Sequence, residues 1–492
     1  MKKLWGALHA EVTRRSFLRL SAATAAVVTA GGFGCGNDGE GAVEGPPLVV
    51  DPNQPWWLQN NFAPVFDERD AYDLPVRGAL PPELNGTYIR NGSNPQKADS
   101  PHWFFGDGML HGVRIENGRA VWYRNRWVRT PLFEKGISFG DPSVPPIGPN
   151  NQSNVSCVYH AGKLLTSGEV GYPFLIDPND LSTLGSYNFG GRLPTSFTAH
   201  PKIDPATGWM HFFGYWFLPP YLTYLVADEN GQVVHSREIP VRRTTMIHSF
   251  AITERDVVFW ELPVVFSLEA ALAGAKNPFS WDPSYGARIG IMPLGGEPSE
   301  LRWVEIEPCY VFHEVNAYRD GDDVVVDLCR HDRMFDGGDI DDTKLDIRRW
   351  RINTAGPQLS FREEIIVDRE FELPSHDRRF TGRPHRYGWF VYTREHPHTV
   401  DLAGIGMIDY RTGRVRVWDP GRTRHAGEAF FVPGGAGEGE GWLLSFVHDH
   451  WKEETVLAVF DAQRVDAGPI AEIVMPRRVP YGFHGVWIPR PA

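Results

Sequence analysis

Short runs of β-branched, aromatic and aliphatic residues recur along most of the chain, each closed off by Gly, Pro, Asn or Asp, and this rhythm limits the fold more than any other feature. Residues 87–90, 121–128, 155–160, 209–216, 244–253, 310–318, 323–329 and 442–448 are examples. Turn sequences such as Glu229-Asn230-Gly231 and Arg411-Thr412-Gly413 separate such runs. Helical periodicity is confined to residues 266–275, which Asn277-Pro278 brings to an end. Strands without intervening helices exclude a βαβ fold and leave an all-β chain. At 492 residues the chain exceeds what one simple core accommodates, so a large closed architecture, a propeller or a large sandwich, is expected. The composition agrees, since 17 Trp, 29 Phe and 16 Tyr supply strand formers while 51 Gly and 40 Pro supply turns.

Residues 1–35 read as an address. Arg14-Arg15-Ser16-Phe17-Leu18 precedes an apolar stretch from Leu20 to Phe33, the pattern of a twin-arginine signal. The stretch is too short to span a bilayer, which takes about 20 residues. Export by the twin-arginine machinery to the periplasm or beyond is therefore expected, a route suited to a folded protein already loaded with a cofactor. Cys35 is a candidate for lipid anchoring, although the residues before it match a lipobox poorly. Residues 36–60, opening with GNDGEGAVEGPP, read as a linker, and 61–492 as a single domain. A net charge of −12 and a pI near 5.8 exclude the basic footprint of a nucleic-acid binder. Cys157, Cys309 and Cys329 read as packing residues. A turn at Asp320-Gly321-Asp322 leaves Cys309 about four residues out of register with Cys329, roughly 13 Å, too far for a bridge.

Of the 18 His, eight lie beside charges, Gly or Pro and read as solvated or structural: His331, His376, His385, His396, His398, His425, His448 and His450. Four others stand in apolar, strand-like runs: His200 in SFTAHP, His248 in MIHSF, His313 in YVFH and His484 in YGFHG. Burying an ionisable ring costs free energy unless it is hydrogen-bonded or ligates a metal. A hydrogen-bonded core histidine is the plain alternative for each. The wide spacing rules out a local finger-type site and suits a radial fold in which different blades each send one ring to the axis. Gly106-Asp107-Gly108-Met109 lacks the Lys and the following helix of a phosphate loop and reads as a turn, with His111 beside it. No HExxH motif is present.

The segments FTAHPKIDPATG, MIHSFAIT, FHEVNAY and YGFHGVWIP resemble those of the carotenoid cleavage oxygenases, as do TYIRNGSNP, HWFFGDGMLHG, YRNRWVRT, WDPSYGARIG and VHDHWKEETVLAVFDA. They occur in family order over about residues 60–490. The resemblance implies a seven-bladed β-propeller with iron(II) held on its axis by His200, His248, His313 and His484. It also implies that Glu169, Glu372 and Glu428 accept hydrogen bonds from the rings' other nitrogens. Four neutral imidazoles on one ion leave positions open for dioxygen. The implied activity is a non-haem dioxygenase that splits a C=C bond of a carotenoid or apocarotenoid into two carbonyl products, with O2 as co-substrate. A hydroxylated stilbene is the alternative substrate, and a non-catalytic ligand-binding propeller is the alternative of another class. An apolar conjugated substrate calls for an apolar tunnel, and residues 262–275 are a candidate access patch at a membrane surface. Ser249 and Arg319 stand where relatives often carry acids, which affects tuning without removing a ligand.

Overall fold

The computed structural model describes residues 45–490 apart from 98, 139–143, 145–147, 273–274, 276, 338–342, 395 and 397–398. The signal segment, Cys35, the first part of the linker and His398 lie outside the described residues. The body is all-β and forms a seven-bladed propeller of antiparallel sheets. Sheet I is ordered Arg69–Tyr72, Arg119–Trp127, Gly108–Glu116, Gly86–Ser93 and Gly485–Pro489. Sheets II to VI are four-stranded and antiparallel, with first strands Ser156–His160, Lys202–Ile203, Ala251–Ile252, Glu314–Asp320 and Phe371–Ser375; all are simple meanders except sheet IV, where the hairpin Val264–Phe266 with Phe279–Trp281 is inserted between the second and third strands. Sheet VII joins Val76–Gly78 to Ala471–Val474, Glu454–Asp461 and Gly441–Asp449, the last pairing with both Arg424–Ala426 and Phe430–Pro433. First strands touch between sheets IV and V and between V and VI, and Gly485–Pro489 of sheet I touches Ser156–His160 of sheet II. The circle is closed twice by pairing of early with late strands, Gly86–Ser93 with Gly485–Pro489 and Val76–Gly78 with Ala471–Val474.

The apolar runs are explained by the packing between blades. A strand places alternate residues on opposite faces, and here both faces are buried against neighbours. Val324, Val326 and Leu328 of sheet V join Val258, Trp260 and Ile289 of sheet IV in one cluster. Cys329 and Ile347 of sheet V join Phe371, Phe390 and Ile408 of sheet VI in another. The same device recurs between III and IV, where Phe213 and Tyr224 meet Phe259, and between VII and I, where Phe446 and Leu457 meet Tyr88 and Tyr123. Cys157, Cys309 and Cys329 are unbridged and buried in these layers.

Three local expectations need correction. The helix read over 266–275 is reduced to Leu268–Leu272, and a second short helix, Pro131–Lys135, appears, capped by Thr130 Oγ1 accepting from Phe133 N at 3.2 Å. Residues 50–60, read as linker, belong to the packed body: Trp56 is buried with Phe62, Trp103, Tyr481 and Phe483. In the segment read as an access patch, Leu262, Val264 and Val265 are core residues, while Leu268 is exposed. No helix among the described residues is long and apolar enough to cross a membrane.

Candidate metal centre

The four singled-out histidines converge, but not from strands. His200 precedes Lys202–Ile203, His248 precedes Ala251–Ile252, and His313 and His484 immediately precede Glu314–Asp320 and Gly485–Pro489. The strands read over 244–253 and 310–318 therefore begin later than expected. The reason is geometric. A paired strand sends its side chains perpendicular to the sheet, towards the neighbouring blades, so a ring aimed at the axis has to stand before the ladder begins.

One nitrogen from each ring lies within 4.8 Å of the others. Ring centroids are 4.5 Å apart for His200 with His248 and with His484, and 5.0 Å for His248 with His313 and for His313 with His484. The rings stand edge to face about a common point, and His248, His313 and His484 are buried. Three rings are oriented by carboxylates. His248 Nδ1 donates to Glu169 Oε2 at 2.7 Å, His313 Nδ1 to Glu372 Oε2 at 2.7 Å, and His484 Nδ1 to Glu428 Oε1 at 2.8 Å. Each carboxylate is itself fixed through its second oxygen, by Tyr215 Oη at 2.9 Å, His331 Nε2 at 3.2 Å and Gly485 N at 2.7 Å respectively.

Each of the seven blades thus contributes one residue. Sheets I, III, IV and V give histidines, while Glu169 follows Lys163–Ser167 of sheet II, Glu372 lies on the first strand of sheet VI, and Glu428 precedes Phe430–Pro433 of sheet VII. At Glu372 the pairing register shifts and Leu373 adopts φ 51°, an irregularity that turns the carboxylate out of the ladder towards His313.

The protonation pattern follows from these contacts. A carboxylate only accepts, so each Nδ1 carries its hydrogen and each neutral ring presents an unprotonated Nε2 to the axis. His313 Nε2 is buried and has no hydrogen-bond partner among the described residues, and the Nε2 atoms of His200 and His248 face each other at 2.9 Å. Burial pushes the His313 imidazolium down to about 4 against the opposing pull of Glu372. Burial, followed by the neighbouring His248, His484 and His313, holds His200 well below the ordinary value. Burial alone would raise the Glu372 carboxyl, but His313 and His331 outweigh it and keep it ionised. Lone pairs left converging without protons, each backed by an oriented carboxylate, fit a divalent transition-metal ion bound by neutral imidazole.

Sequence reasoning missed Tyr215 and His331. His331, read as solvated or structural, is buried and shares Glu372 with His313. Of the other histidines read that way, His425 and His448 are buried, and His376 Nε2 lies 2.9 Å from Thr381 Oγ1. His111 is buried away from the axis, its Nδ1 2.9 Å from Tyr123 Oη. Arg319 pairs with both oxygens of Asp256 at 2.6 and 2.7 Å and is remote from the rings in its bonding.

Fold and cluster together define a propeller with a candidate metal site of four histidines on its axis. The chain belongs to the carotenoid cleavage oxygenase family: residues 62–489 match the family described as retinal pigment epithelial membrane protein. It is 34 % identical to a carotenoid 9,10(9′,10′)-cleavage dioxygenase of Crocus sativus, over 90 % of this chain and 90 % of that protein. A carotenoid cleavage oxygenase of Mycobacterium tuberculosis is also 34 % identical, over 88 % of this chain and 97 % of its own length. The crystal structure of the Pseudomonas brassicacearum lignostilbene dioxygenase superposes with a TM-score of 0.82 at 26 % identity, covering 90 % of this chain and all of the other.

Proposed function

We propose that this chain is a non-haem iron(II) dioxygenase that cleaves a C=C bond of a carotenoid or apocarotenoid. The observation that carries the reading is the set of four converging axial imidazoles, three of them with Nδ1 committed to a glutamate and Nε2 turned to the axis. His200, His248, His313 and His484 would hold the iron, and Glu169, Glu372 and Glu428 fix the tautomer and direction of three of them. Iron(II) bound there supplies the redox chemistry that lets O2 add across an alkene, so that one C=C and one O2 become two C=O groups. Because the four ligands are neutral, the ion keeps its full charge at the axis. Phe312 packs 5.3 Å from His248 and continues through Phe104 to Phe483 and Trp103, an apolar wall that would grip a conjugated chain without hydrogen bonds. The chain reaches the periplasm or the exterior through its twin-arginine signal, and exposed Leu218 and Leu268 supply a peripheral contact with membrane.

The test is metal analysis of the purified chain followed by 18O2 turnover with one apocarotenoid and one hydroxystilbene. Iron near one per chain and two labelled carbonyl products from the apocarotenoid are expected. Cleavage of the stilbene alone moves the substrate class to stilbenes, and zinc or no metal with neither substrate cleaved overturns the reading.

A further inference from the structure

His200 differs from the other three rings. Among the described residues no carboxylate accepts from it, and its one ring hydrogen-bonding contact is the facing Nε2 of His248. Its segment is fixed by another means. Lys202 stands two residues after His200, Ser249 one after His248 and Glu314 one after His313, and these three side chains meet. Lys202 Nζ pairs with Glu314 Oε1, Ser249 Oγ donates to Glu314 Oε2 at 2.6 Å, and Lys202 Nζ donates to Ser249 Oγ at 3.3 Å. The side chains of Lys202 and Glu314 are only 15 % and 6 % exposed. The Lys202 ammonium also lies 5.9 Å from the centroid of the Phe250 ring. A charged pair buried this far is on general grounds no more stable than an apolar pair of the same volume, so its presence points to a positional role.

Resting on the metal-centre reading above, we propose that Lys202 and Glu314 are positioning residues for that centre. They hold the ring that lacks a carboxylate by anchoring its segment to the segments carrying His248 and His313. One knot thereby fixes sheets III, IV and V relative to one another at the axis. Ser249 suits the knot because a hydroxyl can donate to Glu314, whereas an acid at this position would set a second negative charge against it.

Charge and tether predict opposite signs, which makes the idea testable. Removing the Lys202 charge from beside a cation site would tighten metal binding if electrostatics alone governed it, and would weaken binding if the lysine is a tether. The experiment strips the full-length protein with a chelator and titrates it with Co(II), following affinity by calorimetry and ligand geometry by the visible bands of the bound ion. Lys202→Gln and Glu314→Gln are both expected to weaken Co(II) binding by about tenfold or more and to shift the bands, as loss of groups that orient ligands does elsewhere. Ser249→Ala is expected to weaken it in the same direction by less. Tighter or unchanged binding in Lys202→Gln overturns the proposal. Should that variant fail to fold, Ser249→Ala decides: wild-type affinity and bands in it overturn the knot. Failure of the wild-type chain to take up Co(II) at all overturns the metal-centre reading, whereas uptake by the wild type with unaltered variants overturns the knot alone.

Discussion

Two groups of buried and half-buried histidines lie in this propeller, and only one is arranged for a metal. At the axis, Nδ1 atoms are spent on glutamates and Nε2 atoms converge. In sheet VII, His425 also has a carboxylate on Nδ1, Asp401 at 2.7 Å, but its Nε2 meets His450 Nδ1 at 2.9 Å. His450 Nε2 in turn lies 3.2 Å from the carbonyl oxygen of Pro46, and His448 Nδ1 lies 3.0 Å from Thr455 Oγ1. Every nitrogen of the His425–His450 pair is consumed by the protein. Burial and a carboxylate partner are therefore common to both groups, and unspent, convergent lone pairs are what set the axis apart.

The comparison is broken most directly at the rings. His248→Ala or His484→Ala should lose both bound metal and alkene cleavage, read by metal analysis and product chromatography; retention of either activity or metal would show that the axis is not the centre. Glu372→Ala should leave the ligand in place but weaken metal binding by about 10- to 100-fold, measured by competition with a chelator. His425→Ala should do neither: metal content stays at the wild-type level while stability to urea falls by about 1–3 kcal/mol, because Asp401 and His450 lose their partner. Loss of metal in this variant would erase the distinction between the groups. The smallest effect is on pH dependence. Burial lowers His448 from 6.5 to about 4, so the unfolded chain binds a proton in that window that the folded chain refuses. Stability should decline as pH falls from about 6.5 towards 4, and His448→Gln should flatten that decline in urea midpoints.

Much of this was legible in the sequence, for reasons that differ from residue to residue. The strand rhythm is written in apolar runs because both sheet faces are buried, and the four axial rings stood out because each sits among Phe, Tyr, Val or Ile. The positions of the glutamates came from resemblance, since Glu169 in Ser167-Gly168-Glu169 carries no local mark of what it touches. Strand ends at the rings were misread because Tyr310 to His313 and Met246 to Phe250 are as apolar as any strand. Apart from a single bridge between Tyr310 and His331, residues 310–313 and 246–250 stay out of the named strands for a tertiary reason, the need to face the axis. His331 was hidden by its neighbours Arg330 and Asp332: its partner Glu372 is 41 residues away in the chain.

The position of His484 has a consequence for assembly. It stands immediately before Gly485–Pro489, the strand that pairs with Gly86–Ser93 and completes the circle. The fourth ring reaches the axis only when this seam is zipped, so occupancy of the site reports that the whole polypeptide is present and closed. A bound ion in turn draws the seam shut by mass action, adding its binding free energy to a joint otherwise held by five ladder positions. An ion held there would act as a fastener as well as a reagent.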